Sequence, residues 1–118
     1  MPSERIRISN EFVGLAFDSL TGELLELVNN RSGDNLLKNW SNKRSMPFAL
    51  LIADQAGRSC LATAPNYKNV LENVRLRPGF ELSTDHSGTK HLEIRYDRLL
   101  TELGELRVKL AIHVSIAP

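Results

Sequence analysis

The sequence predicts an all-β fold, an antiparallel β-sandwich, on three observations. Several short segments alternate apolar and polar residues, which is the two-residue period of a strand with one buried face. Clusters of Gly, Asn, Asp and Ser separate these segments at the spacing of hairpin turns. No segment has the periodicity of a long amphipathic helix. Short strands joined by turns in this way are typical of a sandwich.

The composition is that of an ordinary globular protein. With 118 residues, 42% apolar and 25% charged, the chain has the size of one domain, residues 1–118. Its 15 Lys and Arg residues are balanced by 14 Asp and Glu residues, so no charge excess favours nucleic acid or an anionic membrane as a partner. No stretch approaches the roughly 20 apolar residues that cross a bilayer. No signal peptide is visible, and the single cysteine, Cys60, excludes an internal disulfide and leaves the compartment open.

A β-hairpin is predicted over residues 10–27, after a short strand over residues 5–9. Each arm of the hairpin alternates apolar and polar residues. Between the arms, Asp18 and Ser19 can accept hydrogen bonds from backbone amides two residues ahead, and Gly22 can adopt the positive φ that closes a longer hairpin loop. The reversal of the chain is therefore explained by its own residues.

Further strands are predicted in the middle of the chain. After a loop that Leu36 and Leu37 anchor, the run FALLIA at 48–53 is expected to be a strand buried on both faces or at the centre of a sandwich. A turn then leads to a partner strand over 58–62, and residues 63–68 are predicted to be a connection. The apolar residues of 70–77 fit both the helix period and the strand period. We favour a strand there because the alternation of apolar and polar residues continues across Pro78 and Gly79.

The C-terminal part predicts one more hairpin and one long strand. A turn at 85–88 precedes an alternating segment at 92–96, and another reversal is predicted at Gly104. Residues 106–116 alternate throughout and predict one unusually long strand. Because this strand lacks a following turn and partner, we expect the domain to be truncated at its C-terminus and to form part of a larger supersandwich.

The first hairpin has a distinctive set of residues: Asn10, Phe12, Leu15, Phe17, Asp18, Thr21, Gly22, Leu24 and Leu27, followed by the loop RSGDNLL at 31–37. This set resembles the opening of the β-supersandwich domains of the galactose mutarotase-like superfamily. Such domains occur at the N-terminus of large glycoside hydrolases and as the sandwich domains of polysaccharide lyases. The resemblance implies a non-catalytic module of a carbohydrate-active enzyme, with the chemistry in another part of the polypeptide.

The best candidates for carbohydrate contact are two aromatic residues and two amides. Trp40 can stack on the apolar face of a sugar, Asn39 and Asn42 can fix the orientation of the sugar, and Tyr67 supplies a second ring. The alternative for Trp40 is that its ring covers one end of the sandwich core.

The titratable residues predict no catalytic or metal site. His86, His91 and His113 lack the regular spacing of a metal-binding motif, and we expect them to be surface histidines. We interpret Asp18 as a turn former and not as one of a pair of catalytic carboxylates. No catalytic residue, metal ligand or cofactor is assigned.

One leading hypothesis and two alternatives follow from the sequence. In the leading hypothesis this chain is not itself an enzyme but the N-terminal module of a glycoside hydrolase-like enzyme, where it supports the catalytic domain and contacts carbohydrate. In the first alternative it is a stand-alone carbohydrate-binding module that uses Trp40 and Tyr67. In the second it mediates self-association or protein interaction, because its C-terminal strand pairs with a further domain or a second copy.

Overall fold

The computed structural model describes residues 4–37, 49–53, 55–63, 67–101 and 104–118. Strands dominate this part of the chain, and one short helix and one 3₁₀ turn, Val74–Leu76, lie between the fifth and sixth strands. The helix is α1 (Tyr67–Glu72), and the strands are β1 (Arg5–Ser9), β2 (Val13–Asp18), β3 (Leu24–Asn29), β4 (Ala49–Ala53), β5 (Ser59–Thr63), β6 (Gly79–Thr84), β7 (Lys90–Tyr96), β8 (Leu99–Thr101), β9 (Gly104–Leu106) and β10 (Leu110–Ile116).

The strands form three sheets, and every pairing between named strands is antiparallel. The first sheet has the order β1-β2-β3, the second β10-β7-β6 and the third β4-β5-β8-β9. Five of the seven neighbouring pairs are consecutive along the chain, whereas β7 pairs with β10 across β8 and β9, and β5 pairs with β8 across α1, β6 and β7. The predicted all-β, antiparallel class is therefore confirmed, and the larger supersandwich stays a prediction.

The first hairpin has the turn that its residues predict. Asp18 accepts a hydrogen bond on Oδ1 from the Leu20 amide at 2.8 Å, and Gly22 has a φ of +80°. In this left-handed region a side chain is strained, so glycine is favoured. The first strand, β1, spans the five predicted residues and pairs with β2 over its whole length.

Buried side chains from all three sheets belong to one core cluster. The first sheet contributes Ile8 and Phe17, and the third contributes Ala62 and Leu99. The second sheet contributes alternate residues of β7 and the end of β10, namely Leu92, Ile94, Tyr96 and Ile116. The predicted alternation at 92–96 is confirmed, because Leu92, Ile94 and Tyr96 are each at most 1% exposed. The opposite face of the second sheet is consequently directed away from this core.

The prediction of a strand over residues 70–77 is wrong. This segment holds the end of α1 and the 3₁₀ turn, which Asn73 caps by accepting a hydrogen bond on Oδ1 from the Arg75 amide at 3.1 Å. Val70 and Leu76 are buried, whereas Val74 is 65% exposed. The apolar residues of this segment fit both the two-residue period of a strand and the period of a helix. The helical conformation is the one that buries Val70 and Leu76. The predicted connection also ends earlier than expected, since α1 begins at Tyr67.

Three further expectations are corrected. β4 is not buried on both faces, because Leu51 is 76% exposed. Leu36, predicted to anchor a loop, is 59% exposed. The predicted long strand is two strands separated by residues 107–109, because the chain changes partner there: β9 pairs with β8, whereas β10 pairs with β7. The last strand therefore has a partner within the chain, and the alternation continues through the break only because Val108 also packs on the core.

Candidate functional site

A polar patch covers the outer face of the second sheet. In the register of β6, β7 and β10, Glu81 lies opposite Glu93 and Glu93 opposite His113, while Ser83 lies opposite His91. These five residues line a shallow depression of about 280 Å³, and we call them the histidine face. Their side chains share one face because successive residues of a strand point to opposite sides, and the other side carries the core.

Two imidazole rings are in direct contact on the histidine face. His91 of β7 and His113 of β10 are diagonal neighbours, since His113 lies opposite Glu93, two residues from His91. Their ring centroids are 5.1 Å apart and the ring planes are inclined by 24°. Nδ1 of His91 lies 3.0 Å from Nε2 of His113, which is hydrogen-bond distance. Diagonal pairs in antiparallel sheets are within reach of ring side chains.

Asp85 contacts the other ring nitrogen of His91. Its Oδ2 lies 2.9 Å from Nε2 of His91, while its Oδ1 accepts hydrogen bonds from the Ser87 amide at 2.9 Å and the Thr89 amide at 3.1 Å. The hydrogen bond with His91, followed by that with the Ser87 side chain, holds the pKa of Asp85 well below its usual range. Asp85 is therefore a carboxylate at neutral pH and can only accept hydrogen bonds.

The ionised state of Asp85 determines the tautomers of the two imidazoles. Nε2 of His91 must carry a proton to donate to Asp85, so Nδ1 of a neutral His91 is an acceptor. His113 then donates from Nε2 to this atom and keeps a lone pair on Nδ1. A directed chain of hydrogen bonds thus runs from the β6–β7 turn across two strands.

The carboxylates of the histidine face are close to one cation. Arg95 places Nη1 3.4 Å from Oε2 of Glu81, and Nε 3.7 Å from Oε1 of Glu93. All three side chains are at least 42% exposed, so these ion pairs contribute little to stability. They orient the carboxylates beside the two imidazoles.

A second surface feature is apolar and lies on the third sheet. Leu51 of β4 and Leu61 of β5 are directly opposite one another in the register. They are 76% and 54% exposed, whereas the neighbouring Ala62, on the other face of the hairpin, is fully buried. We call Leu51 and Leu61 the leucine pair. Two large apolar side chains that are adjacent on one exposed face indicate an interaction surface more strongly than exposed apolar side chains that are scattered singly.

Most of the predicted carbohydrate residues lie outside the part of the chain that the structure describes. Trp40, Asn39 and Asn42 lie outside the described residues, and Tyr67 is known here only as the first residue of α1. The carbohydrate site proposed from these residues stays a prediction.

The contact between His91 and His113 was missed by sequence reasoning. His86 is exposed in the β6–β7 turn, as expected, but the other two histidines are partners. Their outward positions could be read from the alternation of each strand. The pairing of β7 with β10 could not, because β8 and β9 intervene.

The described residues contain neither a cluster of metal ligands nor a membrane-spanning helix. No three His, Cys, Asp or Glu side chains in those ranges are arranged to hold one metal ion. In the same ranges, no helix has the length and apolar character required to span a membrane.

No protein-family model matches the chain, no curated protein is significantly similar to it in sequence, and no solved structure is significantly similar to it. The resemblance to the galactose mutarotase-like superfamily therefore rests on the residues of the first hairpin and of the loop that follows it.

Proposed function

We propose that this chain is a non-catalytic β-sheet module that packs against a further domain, as the supporting modules of carbohydrate-active enzymes do. The observation that carries the proposal is the leucine pair, two large apolar side chains that are adjacent and exposed on one face of a sheet. Adjacent apolar side chains exposed in this way are typical of a surface that a partner covers.

The leucine pair marks where this interface would lie. Leu51 and Leu61 are adjacent on the outer face of the β4–β5 hairpin. Burying a leucine side chain completely contributes about 1.5–3 kcal/mol, and part of that gain is still unused at each of these residues. An apolar sheet surface of a further domain would complete the packing.

The first experiment replaces the leucine pair by lysines. The isolated wild-type chain is expected to bind the apolar dye ANS and to self-associate at high micromolar concentration, because the proposed partner domain that would cover the leucine pair is absent. L51K together with L61K should lower dye binding several-fold and give a monomer in light scattering. L71K, at an equally exposed leucine of α1, is the matched control and should change neither property.

Two outcomes would contradict the proposal. The first is a wild-type chain that stays monomeric and binds no more dye than the double variant. The second comes from the complete coding sequence: a reading frame with no further domain removes the partner that the module is proposed to support.

A second candidate function is contact with carbohydrate at the histidine face. The observation that favours it is a row of hydrogen-bonding groups that includes two adjacent imidazole rings, which can bind sugar hydroxyls. Binding to a glycan array that is lost in S83A and E93Q but kept in W40A would place the contact here. Loss in W40A alone would place it on the residues around Trp40 instead, and no binding to any glycan would reject both sites.

A further inference from the structure

We propose that His91 and His113 form a binding site for a divalent transition-metal ion of the zinc class, with Asp85 orienting His91. The starting point is the contact of two imidazole nitrogens, Nδ1 of His91 and Nε2 of His113, 3.0 Å apart. This contact lies on the outer face of the sheet, where an ion can reach it, and it is independent of the leucine pair.

The spacing of the two nitrogens is close to that required by one shared ion. Zinc binds imidazole nitrogen at about 2.0–2.1 Å with tetrahedral geometry, which puts two such nitrogens about 3.3–3.4 Å apart. The nitrogens of His91 and His113 would have to separate by about 0.3–0.4 Å. A side-chain rotation supplies a shift of this size without a change in the strands.

Binding replaces the proton that the two rings share. In the neutral pair, Nε2 of His113 donates to Nδ1 of His91, so the ion can enter only when that proton leaves Nε2. His113 changes tautomer and carries the proton on Nδ1, and both nitrogens that face the ion then present lone pairs. No net proton is released from the neutral pair, and one is released if either ring is charged before binding.

Asp85 supplies the outer part of the site. A metal-binding histidine usually donates its second N–H to a carboxylate, which fixes the tautomer and orients the ring. Asp85 lies 2.9 Å from Nε2 of His91 and is itself held by the Ser87 and Thr89 amides. His91 is therefore oriented before an ion binds, with Nδ1 directed at His113.

The rest of the face favours a cation and leaves its coordination open. Glu93, opposite His113, and Glu81 bring negative charge to the same depression, with Arg95 as their cationic contact. Two imidazoles are the protein ligands, and water completes the coordination. Imidazole ligands select Zn²⁺, Ni²⁺ or Cu²⁺, whereas Mg²⁺ and Ca²⁺ require oxygen ligands.

The test is a calorimetric titration of the whole chain with Zn²⁺ and Ni²⁺. One ion should bind per chain, and H113A should weaken binding at least tenfold. D85N should weaken it about 10–100-fold, as outer carboxylates generally do. H86A removes an exposed histidine two residues before Gly88 in the same turn and should leave the affinity unchanged. Mg²⁺ and Ca²⁺ should not compete.

A spectroscopic measurement separates this site from a loss of folding. In the wild-type chain, Zn²⁺ should shift the imidazole ring resonances of His91 and His113 together and leave those of His86 in place. Equal affinity of the wild type and H113A would overturn the proposal. Ring shifts confined to His86, or competition by Ca²⁺ at equal concentration, would overturn it as well.

Discussion

Tyr96 joins the first and second sheets through one buried hydrogen bond. Its hydroxyl donates to the Thr21 carbonyl at 2.9 Å, and the side chain is 1% exposed. The fit around the hydroxyl is close, because a Cβ added at Gly22 would lie 2.0 Å from Oη of Tyr96. Burial, with a smaller effect of the Glu23 charge, raises the pKa of the Tyr96 hydroxyl above its usual value.

Two substitutions test this contact. Y96F should lower the free energy of unfolding by about 1–3 kcal/mol, because the buried Thr21 carbonyl loses this donor. G22A should cost more, since the left-handed φ adds about 1–2 kcal/mol and the new methyl group displaces the hydroxyl. G57A is the matched control: Gly57 has a φ of +83° but nothing within 4 Å of an added Cβ. Urea unfolding curves measure all three, and equal losses for G22A and G57A would contradict the packing argument.

The raised pKa of Tyr96 gives the same contact a pH dependence. The folded chain holds the hydroxyl neutral, whereas the unfolded chain ionises at about pH 10. The stability that the neutral hydroxyl contributes is therefore present below about pH 10 and is lost as pH rises from there towards the folded pKa. The urea midpoint of the wild type should fall more steeply between pH 9 and pH 11 than that of Y96F. Parallel curves would contradict this prediction.

At the scale of an element, the β6–β7 hairpin depends on Asp85. Its carboxylate accepts the amides of Ser87 and Thr89, and Gly88 closes the turn with a φ of +88°. D85A should increase hydrogen exchange of those two amides at least tenfold, while D85N, which keeps one carbonyl acceptor, should have a smaller effect. H86A, in the same turn, is the control. Since the pKa of Asp85 is lowered, its contribution is present above the ordinary value near pH 4 and is lost progressively as pH falls from there through the lower pKa of the folded chain. Acid should therefore shift the protection of these two amides, taken relative to their intrinsic exchange rate at each pH, towards that of D85A, and protection that stays constant in acid would reject this role.

Elements whose causes are local could be predicted from the sequence. The Asp18 and Asp85 turns and the strands beside them follow from residues within one hairpin, where each residue's hydrogen bonds are made nearby. The segments that failed depend on distant partners. Residues 107–109 are not in a strand because the chain changes its pairing partner there, from β8 to β7. Residues 70–77 adopt helical turns, which bury Val70 and Leu76. The histidine face combines both kinds of information: each strand's outward residues are local, but the contact between His91 and His113 is not.

For the molecule as a whole, the β4–β5 hairpin has fewer described attachments than the strands of the second sheet. Among the described residues, β5 pairs with β8 at Thr63 opposite Leu100, whereas β7 pairs with β10 over seven positions and with β6 over six. The hairpin also exposes Leu51 and Leu61, at 76% and 54%. Few buried apolar contacts and few pairings are the features of a region that opens before the rest of the protein.

The β4–β5 hairpin is therefore expected to open without global unfolding. Native-state hydrogen exchange in low urea should give β4–β5 amides a lower opening free energy, and exchange at least tenfold faster, than the β7 amides of Leu92 and Ile94. The β2–β3 hairpin is an equally local element, but Ala16 and Phe17 are buried, so it should follow β7. One shared free energy for all three regions would contradict this expectation. A domain that packs on Leu51 and Leu61 should slow exchange in β4 and β5 and leave β7 unchanged, which connects this loose attachment to the proposed supporting role.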